Sequence, residues 1–182
     1  MKVWNPDKYL KALNYASYYH EKQLVPGSST PYIIHPVNTA MEIMTALASG
    51  EKADDPDLSI QCALLHDTLE DTSATFEDLE KNFGDKVALG VLALTKKDGF
   101  KSKPDKMDDS LKRIKLRGKE IWMVKLADRI SNMKKPPDHW SYEKRILYKE
   151  ESEKILNELK SSSRYLSKRL ELKIENYLKY CS

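Results

Sequence analysis

Apolar residues recur along this chain at intervals of three and four, and strand-type alternation persists nowhere. Tyr9, Leu13, Ala16 and Tyr19 trace one face of a helix predicted from about Pro6 to Lys22. Pro26-Gly27-Ser28-Ser29-Thr30-Pro31 is a loop by composition. Pro36 suits a first helical turn, where its missing N–H costs nothing, so a second helix runs to about Ser49 and ends at Gly50. Ile60, Ala63, Leu64 and Leu65 put a helix from about Leu58 to Glu70 in the core. Thr75 is a good N-cap for a helix over Phe76 to Phe83, and Asp85 to Leu94 comes next after Gly84. Lys96 to Asp109 carries charge, Gly99 and Pro104 but no period, which predicts a mobile loop before a short helix from Ser110 to Arg117. Ile121, Val124, Leu126, Ala127 and Ile130 mark the inner face of a helix from Glu120 to Lys134, stopped by Pro136-Pro137. Tyr142 to Tyr180 reads as two long helices broken near Ser161-Ser162-Ser163. The expectation is an all-α bundle of about eight to ten helices.

Length and composition agree with one domain over 1–182, its site-bearing core at 30–135 and packing helices at 141–182. The net charge of +3 says little, but its distribution says more. Eleven acids against two lysines fall between Glu51 and Asp85, and ten bases against four acids between Lys96 and Lys119. An acidic region can hold a cation and a basic one can meet a phosphate. The two cysteines, Cys62 and Cys181, suggest no disulfide framework and fit a reducing compartment. Met1 to Leu10 has no apolar run of the signal-peptide kind, and no segment is apolar for long enough to span a membrane. A cytoplasmic location is expected.

Candidate chemistry begins at His66-Asp67-Thr68-Leu69-Glu70-Asp71. If the helix continues, His66 and Glu70 share a face, as do Asp67 and Asp71. One imidazole and three carboxylates then gather at the end of an apolar helix, and burying that much negative charge calls for a counter-ion. A divalent cation is the simplest one, although a solvated acidic helix end explains the same residues taken alone. His35 stands at a loop–helix junction, in Pro31-Tyr32-Ile33-Ile34-His35-Pro36. Asp128 is a carboxylate in a core-like helix, with Asn132 one turn on, and pairing with Lys125 or Arg129 is its alternative reading.

Taken together these strings resemble a known family. His35, then His66-Asp67, then Asp128 match the order of metal ligands in the HD phosphohydrolase superfamily. Pro31-Tyr32-x-x-His35-Pro36, Leu64-Leu65-His66-Asp67-Thr68-x-Glu70-Asp71-Thr72 and Lys125-Leu126-Ala127-Asp128-Arg129-x-x-Asn132 resemble the hydrolase domain of the bacterial alarmone (ppGpp) synthetase/hydrolases and the small alarmone hydrolases. The resemblance implies an HD-domain helical bundle that hydrolyses pyrophosphate from the ribose 3′ position of a nucleotide. It implies His35, His66, Asp67 and Asp128 as ligands of a divalent metal, manganese in that family, although the ligand types also admit iron, cobalt, zinc or magnesium. It implies Glu70 and Asp71 as the pair that positions and deprotonates water, without saying which of them is the base. Asn132 would lie beside the nucleotide sugar. Lys144 and Tyr148, in a Trp140-x3-Lys144-x3-Tyr148 segment, would lie near the nucleotide. Lys96 and Lys97 would neutralise outer phosphates.

One departure bears on the substrate. Family members carry several basic residues ahead of the Pro-Tyr string, whereas here, in Gln23-Leu24-Val25, the apolar Leu24 and Val25 stand in those positions. Charge-assisted phosphate contacts would be lost there. A different nucleotide or phosphorylated metabolite is therefore a second enzyme reading, and a nucleotide-sensing module is a non-enzyme one. The stretch from Tyr148 to Ser182 is too short for a synthetase domain. Leu166, Leu170, Ile174 and Leu178 make that last segment amphipathic, fit to pack on the bundle or on a second subunit. Glu171 and Glu175 interrupt its basic face, which argues against a membrane surface or nucleic acid as partner.

Overall fold

The computed structural model of the chain describes residues 3–97, 99 and 102–181. Asp98, Phe100 and Lys101, within the segment predicted as a mobile loop, lie outside the described residues, as do Met1, Lys2 and Ser182. Most of the described residues are helical, with no strand among them. In chain order they are α1 (Pro6–Tyr19), α2 (Ile34–Ala48), α3 (Pro56–Leu65), the single turn α4 (Thr68–Asp71), α5 (Phe76–Phe83) and α6 (Asp85–Leu94). Then come α7 (Lys103–Lys115), α8 (Lys119–Asn132), α9 (Tyr142–Leu159) and α10 (Arg164–Tyr177), with 3₁₀ turns at Lys160–Ser162 and Leu178–Tyr180. None of these helices is long and apolar enough to cross a membrane.

The architecture is organised around α8, which packs against α2, α3, α9 and α10. Ile121, Met123, Val124, Leu126, Ala127 and Ile130 are fully or almost fully buried there. Because neighbours surround this helix, its polar residues Lys125, Asp128 and Arg129 are buried as well. Polar groups in such a place need partners, and the partners turn out to build the site. Glu42 on α2, buried itself, pairs with the Arg169 guanidinium and ties α10 to the bundle.

Two departures from the pattern-based expectation have local causes. The helix predicted through Glu70 stops at Leu65. His66 Nδ1 donates to Ala63 O at 2.8 Å, and Thr68 Oγ1 donates to Leu65 O at 2.7 Å. Side chains thus take carbonyls that backbone N–H groups of a continuing helix would have used. The segment predicted as a loop from Lys96 to Asp109 instead contains most of the first two turns of α7. Ser102 accepts from Asp105 N at its start, Pro104 sits in the first turn, and Met107, Leu111 and Ile114 are buried at helical spacing. Arg113 on α7 then donates to the carbonyls of Leu92, Ala93 and Thr95, all at 2.8–2.9 Å, closing the C-terminal end of α6.

Candidate metal centre and active site

Two helices and one break bring the candidate ligands together. His35 lies in the first turn of α2, Asp128 in the third turn of α8, and His66-Asp67 in the interruption between α3 and α4. Adjacent residues on a regular helix point about 100° apart. The break relaxes that restriction, and His66 Nε2 and Asp67 Oδ2 come within 2.9 Å of each other. His35 Nε2 is 3.1 Å from His66 Nε2, 3.5 Å from Asp67 Oδ2 and 3.4 Å from Asp128 Oδ1. His35, His66 and Asp128 are buried, and they form a group whose donor atoms all lie within 4.8 Å of one another.

The tautomer of His66 shows what this cluster can hold. Its Nδ1 faces a carbonyl and must carry hydrogen, so the neutral ring presents the Nε2 lone pair inward. The His35 Nε2 sits opposite, 3.1 Å away, at hydrogen-bond distance. Burial disfavours a charged imidazole, yet Asp67 and Asp128 outweigh it and hold His66 up at about 10, with His35 raised too. Burial likewise works to raise Asp67 and Asp128. Positive neighbours, His66 first for Asp67 and Lys125 first for Asp128, keep both well below the usual carboxylate range. Two inward nitrogens and two carboxylate oxygens are a donor set suited to a divalent cation.

The candidate ligand side chains are braced from outside. Tyr32 Oη donates to Asp67 Oδ2 at 2.5 Å, and its own proton is hard to remove, first because it is buried and then because Asp67 is beside it. Asp128 accepts from Lys125 Nζ at 2.9 Å through Oδ2 and from Asn132 Nδ2 at 2.6 Å through Oδ1. Asn132, expected beside a sugar, is thus turned toward Asp128 here. Tyr32 stood inside the sequence motifs without a role, which only its contact reveals, whereas Lys125 makes the pairing with Asp128 that the sequence offered as an alternative.

Glu70 and Asp71 are held apart from the buried cluster, on the wall of the same cavity. Glu70 accepts from the backbone N–H of Lys96 at 2.8 Å and from its ammonium at 3.2 Å. Burial opposes the Lys96 charge, but Glu70 and the more distant Asp128 raise its pKa. Gln23 Nε2 donates to the Asp71 carbonyl at 2.6 Å, and Gln23 Oε1 meets His20 Nδ1 at 2.7 Å. The Asp71 carboxyl is raised above its ordinary range, first by partial burial and then by the charges of Asp67 and Glu70.

The cavity holds about 760 Å³. His35, His66, Asp67 and Asp128 form part of its wall, and Lys96, Lys106, Lys134, Lys135, Lys144 and Lys154 supply positive charge around it. Lys144 lies 4.3 Å above the Trp140 ring, and Arg129 lies 4.5 Å from the ring centre of Tyr148. Lys97, by contrast, is exposed and does not line the cavity. Val25 and Pro26 do line it, on the side where the family pattern leads one to expect bases.

A family model described as HD domain matches residues 12–163, which include every one of these ligand candidates. The chain belongs to the HD domain family. Among HD domain proteins it is 30% identical over 167 residues to a zebrafish (Danio rerio) guanosine-3′,5′-bis(diphosphate) 3′-pyrophosphohydrolase, MESH1, with 89% of each chain covered. It is 37% identical over 106 residues to the Aquifex aeolicus enzyme of the same activity name, covering 57% of this chain and 14% of that one. In three dimensions it superposes on a metazoan ortholog of SpoT that hydrolyzes ppGpp and plays a role in starvation responses. That match has a TM-score of 0.80 at 27% identity and covers 96% of this chain and 98% of the other.

Proposed function

We propose that this chain is a metal-dependent pyrophosphohydrolase that releases pyrophosphate from the ribose 3′ position of an alarmone nucleotide, ppGpp. The observation that carries this reading is the meeting of a buried His/Asp cluster with a separate carboxylate pair in one lysine-rimmed cavity. Near end-to-end similarity to MESH1 supports the substrate.

In this reading His35, His66, Asp67 and Asp128 hold the metal, with manganese as the ion that the family resemblance favours. A divalent cation bound there would supply charge that polarises phosphate oxygen and makes a bound water more acidic. Asp71 takes the proton of the attacking water: partial burial and the charges of Asp67 and Glu70 raise its carboxyl above the ordinary range, and both oxygens of Glu70 are already held by Lys96. Glu70, fixed by two donors from Lys96, orients that water. Water adds to the phosphorus attached at the 3′ oxygen, that P–O bond breaks, and the nucleoside oxygen leaves and is protonated. Lys144 and Tyr148 contact the nucleotide, and Asn132 reaches the sugar once it swings from Asp128.

The test is pyrophosphate release from ppGpp with Mn²⁺, run beside Asp67→Ala and Glu70→Ala. Release by the wild type that both substitutions abolish is expected. No release from the metal-loaded wild type would overturn the substrate assignment. Val25 and Pro26 on the cavity wall favour one second reading, a related nucleotide with less negative charge near that wall, and a nucleotide panel in the same assay separates the two.

A further inference from the structure

Lys125 is a buried lysine in the middle of a core helix, only 5% exposed. An ammonium is among the groups least often found fully inside a protein, and it stays there only with a strong partner. The partner is Asp128 Oδ2 at 2.9 Å, three residues along the same helix. The other oxygen, Oδ1, faces the imidazoles, at 3.4 Å from His35 Nε2 and 3.7 Å from His66 Nε2. The two oxygens of one carboxylate are therefore assigned to different neighbours.

This division has a consequence for any cation held by the cluster. A carboxylate can bind a cation through one oxygen or chelate it through both. From these contacts we infer that Lys125 is a positioning residue that restricts Asp128 to one ligating oxygen, Oδ1. The coordination place that a second oxygen would take stays open for water and substrate. Asn132 leaves this restriction intact, since it donates to Oδ1, which has a further lone pair. Lys125 touches the cluster only through Asp128 in this account and takes no proton. The inference rests on the metal reading proposed above and adds to it a cause for the open position.

The role differs from that of a simple counter-ion, and the difference can be measured. If Lys125 served only to offset charge, removing it would strengthen cation binding and change little else. If it sets denticity, removing it lets Asp128 chelate, which consumes a place otherwise used by water. Lys125→Met keeps the length and packing of the stem and removes the donor. Lys125→Gln keeps an N–H donor directed at Oδ2 without the charge.

The experiment measures Mn²⁺ affinity by equilibrium titration, Mn²⁺ hydration by water-proton relaxation, and kcat and KM for pyrophosphate release. Circular dichroism first establishes that each variant is folded. Lys125→Met is expected to bind Mn²⁺ at least as tightly as the wild type while holding one fewer exchangeable water. Its kcat should fall by about 10- to 100-fold, as is common when an outer partner of a ligand is lost, with KM little changed. Lys125→Gln is expected to recover most of the hydration and rate. Equal behaviour of the two variants, or wild-type hydration in Lys125→Met, would overturn the role given to Lys125. Should Lys125→Met not fold, Lys125→Gln decides alone, and loss of hydration in it counts against the donor role. Absence of Mn²⁺ binding by the wild type would instead count against the metal reading itself.

Discussion

Glu70 carries both of its carboxylate oxygens on Lys96: Oε2 accepts from the backbone N–H at 2.8 Å and Oε1 from the ammonium at 3.2 Å. Lys96 stands just past the C-terminal end of α6, which is closed by Arg113 from α7, so the position of Glu70 depends on a helix junction remote in sequence. Lys96→Met removes the ammonium contact and leaves the backbone one. The expected result is a loss of about 10-fold or more in kcat, the scale on which misplacement of a positioned group acts. Lys96→Arg should restore part of it. A kcat equal to wild type in Lys96→Met would remove Lys96 from the orienting role.

The His66 contacts set opposite pH trends for the metal-free and metal-bound protein. His66 is held at about 10 in the metal-free fold, above the ordinary histidine value near 6.5. Its contribution to stability is therefore fully present below about pH 6.5 and is lost as pH rises toward 10. A cation needs the nitrogen lone pair, so proton and metal compete and metal affinity rises over the same interval. Thermal denaturation at about pH 6.5 and about pH 8.5, both inside that window, should show a lower Tm at the higher pH without metal. The increase in Tm on adding Mn²⁺ should be larger at the higher pH. A Mn²⁺-induced shift that shrinks with rising pH would contradict this account.

Gly90 on α6 lies where α6 meets α3 and α8. A Cβ built there would sit 2.7 Å from Ile121 Cδ1 and 2.8 Å from Cys62 Sγ. Both neighbours are buried and cannot move into solvent. Gly90→Ala is expected to destabilise the fold by roughly 1–3 kcal/mol, the usual cost of overpacking. Denaturant unfolding measures this. Activity per folded molecule should stay near wild type, since the contact lies away from the cavity wall. A stability gain would show that helix propensity outweighs the clash.

Much of this architecture was legible because α-helices write their buried faces at a fixed period. α5, α6 and α8 fall within a few residues of where Thr75, Gly84 and the Ile121–Ile130 stripe place them. Only the second half of α7 was legible, as the short helix from Ser110, because charged side chains dominate its first two turns and only Met107, Leu111 and Ile114 keep the period. The break at His66 was hidden for another reason. It is made by side chains bonding to backbone carbonyls, and no Gly or Pro marks it. The site motifs could be read as a set of residue types in order, and the local Lys125–Asp128 pairing was among their readings, but the long-range bracing contacts could not be read. Tyr32 reaches Asp67 across 35 positions, and Gln23 reaches Asp71 across 48.

Val25 offers the most direct test of how this site departs from the family pattern. Its backbone N–H donates to Thr30 O at 2.9 Å, and the Leu24–Pro31 bridge closes the same loop, so the side chain is presented on an ordered turn. That side chain lines the cavity beside Pro26, where it offers apolar contact and no donor. Val25→Arg would add a bidentate phosphate donor at the rim. For a substrate with two diphosphate groups the expected change is a KM lower by about 10-fold, the effect of one added charge-assisted hydrogen bond of roughly 1.5 kcal/mol. The kcat should change little, because Val25 lies outside the cluster and the carboxylate pair. For a nucleoside monophosphate the gain should be smaller, which separates phosphate recognition from general charge attraction. The gain should also shrink in high salt, as an exposed ion pair does. An unchanged KM for every phosphorylated nucleotide would mean that substrate does not approach this wall, and the lysines around the rest of the cavity would then carry its phosphates alone.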